Sequence, residues 1–206
     1  MIIAIDGPLA SGKGTLARAL AAHYGLPHLD TGALYRATAL QLLGKGIAPS
    51  NEAEAIKAAN ALDLSLLERP ELRSAETGAG ASVVAAIPEV RQALYDFQVN
   101  FANQEGGAVL DGRDIGTVIC PNADFKFFVV ADAKERAQRR HKELLEKGEA
   151  ITIETLIVQI IERDERDSTR KEAPLTMADD AHLLDTSGLS IDAVIEKACA
   201  IIDANR

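Results

Sequence analysis

The chain has 206 residues, of which 47% are hydrophobic and 26% charged, and this ordinary globular composition excludes collagen-like, disordered and disulfide-rich proteins. The 22 basic and 31 acidic side chains give a net charge of −9, which argues against a general nucleic-acid binder. The cysteines Cys120 and Cys199 form no CxxC pair, and no apolar run approaches the roughly 18 residues of a membrane span. We therefore expect a cytoplasmic protein that binds neither membranes nor nucleic acid. We also expect it to be a monomer.

The first part of the chain alternates strand and helix patterns. Residues 2–6 are an apolar run followed by a glycine-rich turn, which is typical of a buried parallel strand. A helix is predicted over Lys13–Tyr24, and a glycine ends it. A second short strand leads to Asp30, and Thr31 is the candidate N-cap of a helix that ends at Gly44.

The alternation continues through the rest of the chain. Apolar residues spaced at i, i+3, i+4 and i+7 over 152–168 predict a long helix with one apolar face. The other predicted elements are helices over 51–61 and 89–103, a linker over 73–82, strands over 108–112, 125–130 and 183–185, and a last helix capped by Ser190. Strands that alternate with helices predict a parallel sheet with right-handed crossovers.

The strongest functional signal is the loop between the first strand and the first helix. Its glycines let backbone amides converge on a phosphate, the helix start adds a positive dipole end, and Lys13 can reach the outer phosphates. Gly14 stands where Ser or Thr usually follows the lysine, and the hydroxyl comes at Thr15 instead, as in nucleoside monophosphate kinases. The predicted phosphate-binding residues are Gly7, Pro8, Leu9, Ala10, Ser11, Gly12, Lys13, Gly14 and Thr15.

A second signal is the tetrapeptide Asp111-Gly112-Arg113-Asp114, where the third predicted strand ends. Ligands of doubly wound sheets bind beyond the carboxyl ends of the strands. A buried strand that ends there in Asp suits Mg²⁺ or its water shell, and the alternative is an Asp that caps the next turn. We expect Mg²⁺ as the metal, held by Thr15 or, through water, by Asp111.

Arginine is unevenly distributed along the chain. Seven of the thirteen arginines fall between Arg113 and Arg170. Arginine is the bidentate ligand for phosphate, so the cluster suggests a small anionic ligand, with ion-paired helix faces as the alternative. Arg36 also follows a predicted helix start at the same edge of the sheet. The sequence contains neither the Asn-Lys-x-Asp motif of GTPases nor the GxSxG motif of hydrolases.

Across nearly its whole length the chain resembles one family, the bacterial cytidylate kinases that act on CMP and dCMP. The most specific motifs are DTGALYR (30–36) and DGRDIGT (111–117), because adenylate kinases have two different motifs at the corresponding positions. Further matching segments are IDGPLASGKGT (5–15), PEVRQAL (88–94), ERAQRR (135–140), ERDERDSTR (162–170) and LLDTSGLSIDAVIEKA (183–198).

The resemblance implies transfer of a phosphoryl group from ATP to CMP or dCMP, with Mg²⁺, and it assigns the loop at 7–15 to ATP. It implies that the phosphate of the acceptor nucleotide is bound by Arg36, Arg113 and Arg170. It further implies that the cytosine is contacted by Ser82, Arg91 and Asp114, and that Thr31, Arg163 and Asp167 lie near the sugar. The expected catalytic residues are Lys13, Asp111, Arg113, Arg140 and Arg170.

The expected fold class is α/β, a three-layer P-loop NTPase fold with a five-stranded parallel sheet, a shortened NMP-binding insert and a helical lid. We expect one kinase domain, with a core over about 1–50, 104–135 and 172–206, an NMP-binding segment over about 51–103 and a lid over about 136–170. Family members commonly have a longer insert with extra strands before the cytosine-reading segment, and this chain has only Leu66–Ser74 at that place.

Two other functions fit part of these patterns. The first is a related small P-loop kinase that acts on UMP, AMP or a small-molecule alcohol. The second is a non-catalytic ATP-binding protein, which is disfavoured because a degenerate site should have lost some of the residues Lys13, Asp111, Arg113 and Arg170.

Overall fold

A computed structural model of the protein describes residues 1–146 and 148–206. Five strands form one sheet in the order β2-β3-β1-β4-β5. Strand β1 is parallel to β3 and to β4, and β4 is parallel to β5. The strands are β1 (Ile2–Asp6), β2 (His28–Asp30), β3 (Ala108–Gly112), β4 (Phe125–Val130) and β5 (His182–Asp185). The predicted α/β class with a five-stranded parallel sheet is confirmed.

Helices account for most of the remaining described residues. They are α1 (Lys13–Tyr24), α2 (Thr31–Leu43), α3 (Glu52–Asn60), α4 (Ala75–Val84), α5 (Pro88–Ala102), α6 (Ala133–Leu145), α7 (Ile153–Thr169) and α8 (Ile191–Asp203). Two 3₁₀ segments cover Leu64–Glu68 and Pro70–Arg73, and one π-helical turn covers Ile115–Ile119. None of these helices is both long and apolar enough to cross a membrane.

The chain divides into two compact units. The first, here called the sheet unit, comprises residues 1–29 and 101–206. Its core is formed by apolar side chains of β1, β3, β4, β5, α1 and α8, including the fully buried Ile3, Ile5 and Leu20. All side chains of β3 are buried, which explains why its sequence is apolar throughout until Asp111. The sheet unit therefore contains the carboxyl ends of β1, β3, β4 and β5.

The second unit, here called the helical unit, comprises residues 30–100. Its core contains Leu34, Leu42, Val84 and Leu94 with several small alanines. A Cβ atom on Gly80 of α4 would lie 3.1 Å from the Cβ atom of Ala39 on α2, so α4 packs very closely on α2. Small residues are required at this contact, and they gave the segment its linker-like composition.

Two predictions within the helical unit are wrong. The segment 73–82 is mostly helix α4, not a linker: Ser74 caps α4 by accepting from the amide of Thr77 at 3.1 Å, and tertiary packing stabilises the glycine-rich turns that follow. Thr31 is the first residue of α2 and not its N-cap. Asp30 is the N-cap, and no cap hydrogen bond from its side chain is formed because its carboxylate pairs with Arg36.

Helices α6 and α7 form the predicted lid segment within the sheet unit. Helix α7 begins after Thr152, whose hydroxyl accepts from the amide of Thr155 at 3.2 Å. Leu144 of α6 and Leu156 and Ile160 of α7 are buried. The helix predicted over 152–168 is therefore confirmed within one residue at each end. Lys147, which belongs to the predicted lid, lies outside the described residues.

Candidate active site

The loop predicted to bind phosphate connects β1 to α1 and has an unusual backbone. Gly7, Ala10 and Gly12 have positive φ angles of 155°, 58° and 95°. A Cβ atom on Gly7 would lie 2.1 Å from the carbonyl oxygen of Val129, so a larger residue would displace β4. The loop is thereby held in a curved conformation in which backbone N–H groups can face a single anion.

The N-terminal end of α1 opens onto this loop. Gly12 is its N-cap, none of the described side chains caps the helix, and its first turn contains no acidic residue. The hydroxyl oxygen of Ser11 is buried and has no hydrogen-bond partner among residues 1–146 and 148–206. The ammonium group of Lys13 donates to the carbonyl oxygen of Pro8 at 3.2 Å, so it lies at the loop itself. A positive helix end, an ammonium group and a hydroxyl suit an anion.

Two arginines of α6 hold the loop from its other side. Nη1 of Arg136 donates to the carbonyl oxygen of Leu9 at 3.2 Å, and Nη1 of Arg139 donates to that of Ser11 at 3.3 Å. The hydroxyl of Thr186 also donates to the Ser11 carbonyl, at 2.9 Å. In a trans peptide the N–H group points away from the carbonyl. The arginines therefore direct the amides that follow Leu9 and Ser11 toward the opposite side of the loop.

Asp111 lies beside the first turn of α1. It is buried, and a Cβ atom on Gly14 would lie 3.5 Å from its Oδ2 atom. Its Oδ1 atom is 2.7 Å from Nε2 of His28 on the neighbouring strand β2. The structure thus places this predicted residue at the phosphate loop and adds His28 as the side chain that orients it. No sequence signal pointed to His28.

Five of the predicted acceptor residues form one charged cluster, here called the acceptor cluster: Arg113, Asp114, Arg163, Asp167 and Arg170. Nε of Arg113 donates to Oδ2 of Asp167 at 2.9 Å, and Nε of Arg163 is 3.8 Å from the same oxygen. Nη2 of Arg170 is 3.6 Å from Oδ1 of Asp114. The end of β3 and the end of α7 are therefore joined by side-chain charges within the sheet unit.

The electrostatics of the acceptor cluster favour an anionic ligand. Burial by itself would raise the pKa of Asp167, but the charges of Arg113, Arg163 and Arg170 and the hydrogen bond from Arg113 lower this pKa below its usual value. Three guanidinium groups face two carboxylates, which leaves a formal charge of 3 − 2 = +1. A phosphate group would compensate that charge, and arginine offers it bidentate hydrogen bonds.

Asp6, at the end of β1, is a buried carboxylate that was not predicted as a site residue. Its Oδ1 atom accepts from the amide of Ile115 and its Oδ2 atom from the amide of Gly116, both at 2.8 Å. Burial raises the pKa of Asp6 to about 7, although these two hydrogen bonds act to lower it. Like Asp111, it is an acidic residue that ends an apolar strand, and this shared pattern could have singled it out.

The helical unit carries the other predicted acceptor residues, which are Thr31 and Arg36 on α2, Ser82 on α4 and Arg91 on α5. Thr31, Ser82 and Arg91 are buried. The guanidinium carbon of Arg91 lies 5.7 Å from the ring centroid of Tyr35, a cation–π contact. A Cβ atom on Gly32 would lie 3.1 Å from the Asp30 carboxylate and 3.2 Å from Arg36, so glycine leaves room for the pair of Asp30 with Arg36.

Arg140, the predicted catalytic residue of the lid, forms an ion pair within its own helix. Its Nη1 atom is 3.0 Å from Oε2 of Glu143, whose side chain is 57% exposed. Arg136 and Arg139, which precede it on α6, make the contacts with the phosphate loop instead. The ERAQRR segment indicated arginines on one helix, but the side that each one occupies became visible only in the structure.

The fold and the site together define the class of the protein. A curved loop joins the central strand of a parallel sheet to an uncapped helix end, and a buried aspartate from the next strand lies beside it. This is the arrangement of a P-loop enzyme. A cluster of arginines paired with carboxylates lies where β3 ends, and its residual positive charge suits a second anion, as a kinase with two phosphorylated substrates requires.

The chain belongs to the cytidylate kinase family, whose sequence model matches residues 3–204. It is 58% identical over 206 residues to a cytidylate kinase of Xanthobacter autotrophicus, covering 100% of this chain and 99% of that one. A cytidylate kinase of Rhodopseudomonas palustris is 56% identical over 206 residues, with coverage of 100% and 97%. The predicted family is confirmed, and the protein is a nucleoside monophosphate kinase.

The fold is shared with a more distant solved structure. An uncharacterised protein from Eubacterium ventriosum is similar with a TM-score of 0.60 at 15% sequence identity, over 98% of each chain. At this level of identity the likeness concerns the fold alone.

Proposed function

We propose that this enzyme transfers the γ-phosphoryl group of ATP to CMP and dCMP, forming ADP with CDP or dCDP. The observation that carries the proposal is the acceptor cluster, in which three arginines that match the family motifs stand together where β3 and α7 end. Phosphoryl transfer needs in-line positioning and neutralisation of charge more than covalent help from the protein. A donor site of backbone amides and an acceptor site of arginines meet these needs.

On the donor side, we assign residues 7–15 to the ATP phosphates. The amides that follow Leu9 and Ser11 hold the phosphate oxygens, because Arg136 and Arg139 fix the carbonyl side of those peptides. Lys13 exchanges its contact with the Pro8 carbonyl for the outer phosphates. Its charge then stabilises the oxygens on which negative charge develops during transfer.

The residues at the loop fit Mg²⁺. The Thr15 hydroxyl and the Asp111 carboxylate offer only oxygen atoms, which are the ligands that Mg²⁺ prefers, and one or two carboxylates with substrate phosphates form its usual site. When bound with ATP, Mg²⁺ neutralises charge on the phosphate oxygens. Thr15 would hold the ion directly or Asp111 would hold it through water, with His28 fixing the orientation of Asp111.

On the acceptor side, we assign Arg36, Arg113 and Arg170 to the CMP phosphate. Arg113 and Arg170 are already oriented by Asp167 and Asp114 within the sheet unit. Such pairing reduces the side-chain entropy that is lost when a phosphate binds. Arg36 is oriented in the same way by Asp30 in the helical unit.

The remaining acceptor assignments concern the base and the sugar. We assign Ser82, Arg91 and Asp114 to the cytosine, and Thr31, Arg163 and Asp167 to the surroundings of the sugar. A carboxylate accepts from the exocyclic amino group of cytosine, and a guanidinium donates to its ring nitrogen or carbonyl oxygen. Uracil presents an acceptor in place of the amino group and a donor at the ring nitrogen, while the carbonyl oxygen is the same in both bases, so the enzyme should prefer CMP to UMP. The base contacts survive loss of the 2′-hydroxyl, so dCMP is accepted.

The segment over about 136–170 is proposed to act as a lid. Its helices α6 and α7 are tied together by a two-pronged ion pair between Arg136 and Asp164. Arg140 pairs within its own helix with Glu143, whose side chain is 57% exposed, so water weakens the pair on the glutamate side and Arg140 can exchange it for a phosphate oxygen. It is therefore available to offset charge on the phosphoryl group in transit, while lid closure excludes the water that would hydrolyse ATP.

We further propose that the enzyme works as a monomer in the cytoplasm, in pyrimidine nucleotide metabolism, without a membrane or nucleic-acid partner. The net charge of −9 supports the last point, because a phosphate backbone would repel it.

An assay that couples ADP release to a colour change tests the function with CMP, dCMP, UMP, AMP and shikimate as acceptors. We expect turnover of CMP and dCMP, slower turnover of UMP, and none of shikimate. Preference for AMP or shikimate would contradict the proposed acceptor, and ADP release without any acceptor dependence would show an ATPase instead.

A further inference from the structure

The loop that carries Arg113 and Asp114 continues into the π-helical turn Ile115–Ile119. The first amides of a helical turn have no acceptor inside the turn. Asp114 is the N-cap, and the side chain of an Asp at this position ordinarily accepts from the second or third amide of the turn, here that of Gly116 or Thr117. Asp114 makes no such cap bond, and its carboxylate lies 3.6 Å from Nη2 of Arg170 instead.

The missing acceptors come from another part of the fold. Asp6 provides one carboxylate oxygen to the amide of Ile115 and the other to the amide of Gly116, each at 2.8 Å. The register of the parallel pair places Asp6 opposite Gly112, directly before the loop. Asp6 is 5% exposed, so the two hydrogen bonds form in a nearly water-free place.

We propose that Asp6 is a positioning residue for acceptor recognition: it caps the turn at Ile115 in place of Asp114, so that Asp114 stays paired with Arg170 and directed at the acceptor nucleotide. The proposal rests on the proposed function, because it takes Asp114 as the group that distinguishes cytosine from uracil. It also gives the buried carboxylate at the end of β1 a physical reason, since an apolar residue there would leave two amides unsatisfied.

The consequence of losing Asp6 follows from the positions of the acceptors. Without it, the carboxylate of Asp114 is the acceptor that is best placed in sequence to cap the amide of Gly116, and turning toward that amide removes it from Arg170. The loss then falls on acceptor binding and on the choice between CMP and UMP. The ATP contacts of the phosphate loop use other groups, namely backbone amides and Lys13, and should change little.

The first test replaces Asp6→Asn, which preserves the shape but presents an NH₂ group to one of the two amides. We expect the ratio of kcat/KM for CMP to kcat/KM for UMP to fall about tenfold, with KM for ATP within about twofold of wild type. Ile202→Ala is the matched control, because Ile202 is fully buried in the core of the sheet unit on α8. It should lower thermal stability and leave the CMP to UMP ratio unchanged.

The second test separates action through Asp114 from a general structural effect. If Asp6 acts by releasing Asp114 from the cap, Asp6→Asn should not change the CMP to UMP ratio further in an Asp114→Asn background. Independent effects, multiplying in the double variant, would contradict the proposal. An Asp6→Asn variant that weakens ATP and CMP alike, or an Ile202→Ala variant that also changes the ratio, would contradict it as well.

A third measurement needs no variant and therefore does not depend on folding of a mutant. Amide hydrogen exchange of the nucleotide-free wild type should be slow at Ile115 and Gly116, and fast exchange at both would overturn the cap. The two proposals fail in different ways. If the wild type does not phosphorylate CMP, the proposed function is wrong. If the wild type prefers CMP to UMP and the Asp6→Asn variant shows the same preference, the role of Asp6 is wrong.

Discussion

The donor loop and the acceptor cluster occupy the same unit of the molecule, but they are built from different groups. The loop at 7–15 is one contiguous stretch whose proposed binding groups are mainly backbone amides, and its conformation is fixed by positive φ angles and by arginines on its carbonyl side. The acceptor cluster brings together side chains from 113–114 and 163–170, held by ion pairs.

This difference predicts different sensitivities. Backbone amides carry no titratable charge, so the donor site should tolerate changes in pH. Substitutions there should matter mainly at Lys13 and at glycines such as Gly7, where a Cβ atom would displace β4. The acceptor cluster depends on ionised carboxylates that hold arginines in place, so each substitution there should disturb its neighbours. Four substitutions can separate the two sites, and their expected effects decrease in the order given.

The largest effect is expected for Lys13→Met in the donor loop. The methionine fills similar space without the charge, so the fold should persist while kcat falls by about a hundredfold or more. Circular dichroism and the coupled assay measure the two quantities. Lys45→Met removes a lysine that is exposed in the helical unit and is the control. Near-normal turnover of a folded Lys13→Met variant would show that Lys13 does not stabilise the transition state.

Arg113→Ala should come next and should act on the acceptor side. The variant lacks a guanidinium that is proposed to bind the CMP phosphate, and it leaves Asp167 without its closest partner. We expect kcat/KM for CMP to fall by a factor that corresponds to a loss of about 2–3 kcal/mol of transition-state stabilisation. Initial rates at saturating ATP measure this loss. Arg206→Ala, at an exposed terminal arginine, should have no effect on the same parameter.

Asp114→Asn should lower the ratio of kcat/KM for CMP to kcat/KM for UMP by about tenfold. An amide can donate as well as accept, so uracil is no longer penalised at that contact. Kinetics with both nucleotides measure the ratio in the variant and in the wild type. An equal fall for CMP and UMP would instead make Asp114 a structural partner of Arg170.

The smallest effect concerns stability. The folded state lowers the pKa of Asp167, so its ionised form stabilises the protein above the unfolded pKa near 4, and this contribution disappears as the pH falls through the folded value. Asp167→Asn should therefore reduce the free energy of unfolding by about 1 kcal/mol at pH 7 and by less at pH 3.5. Urea denaturation at both pH values measures the difference. The exposed Asp179→Asn is the control, and a loss independent of pH would contradict the role of charge.

Much of the fold, including the position of the loop at 7–15 between β1 and α1, could be predicted from the sequence, because the signals for it are local. Helix α1 agrees with its prediction at both ends, since a glycine-rich loop precedes it and Gly25 follows it. Helix α4 was missed for the opposite reason. Its glycines and alanines form weak helices on their own, and close packing against α2 stabilises them only in the folded chain.

The contacts that complete the site could not be predicted because they join distant positions. His28 reaches Asp111 across 83 positions, and Asp6 reaches Ile115 across 109. Both contacts depend on which strands are neighbours, and the sequence indicates only that the strands are parallel. The same holds for Arg136 and Arg139, since periodicity places them on a helix but not against the carbonyls of the phosphate loop.

The independence of the two sites is tested most directly by isothermal titration of folded Arg113→Ala and wild type, with CMP and a non-hydrolysable ATP analogue in separate experiments. The account predicts that the variant binds CMP at least about tenfold more weakly and the ATP analogue as tightly as wild type does. Equal weakening of both ligands, or weakening of the ATP analogue alone, would place Arg113 on the donor side and contradict the division between donor loop and acceptor cluster.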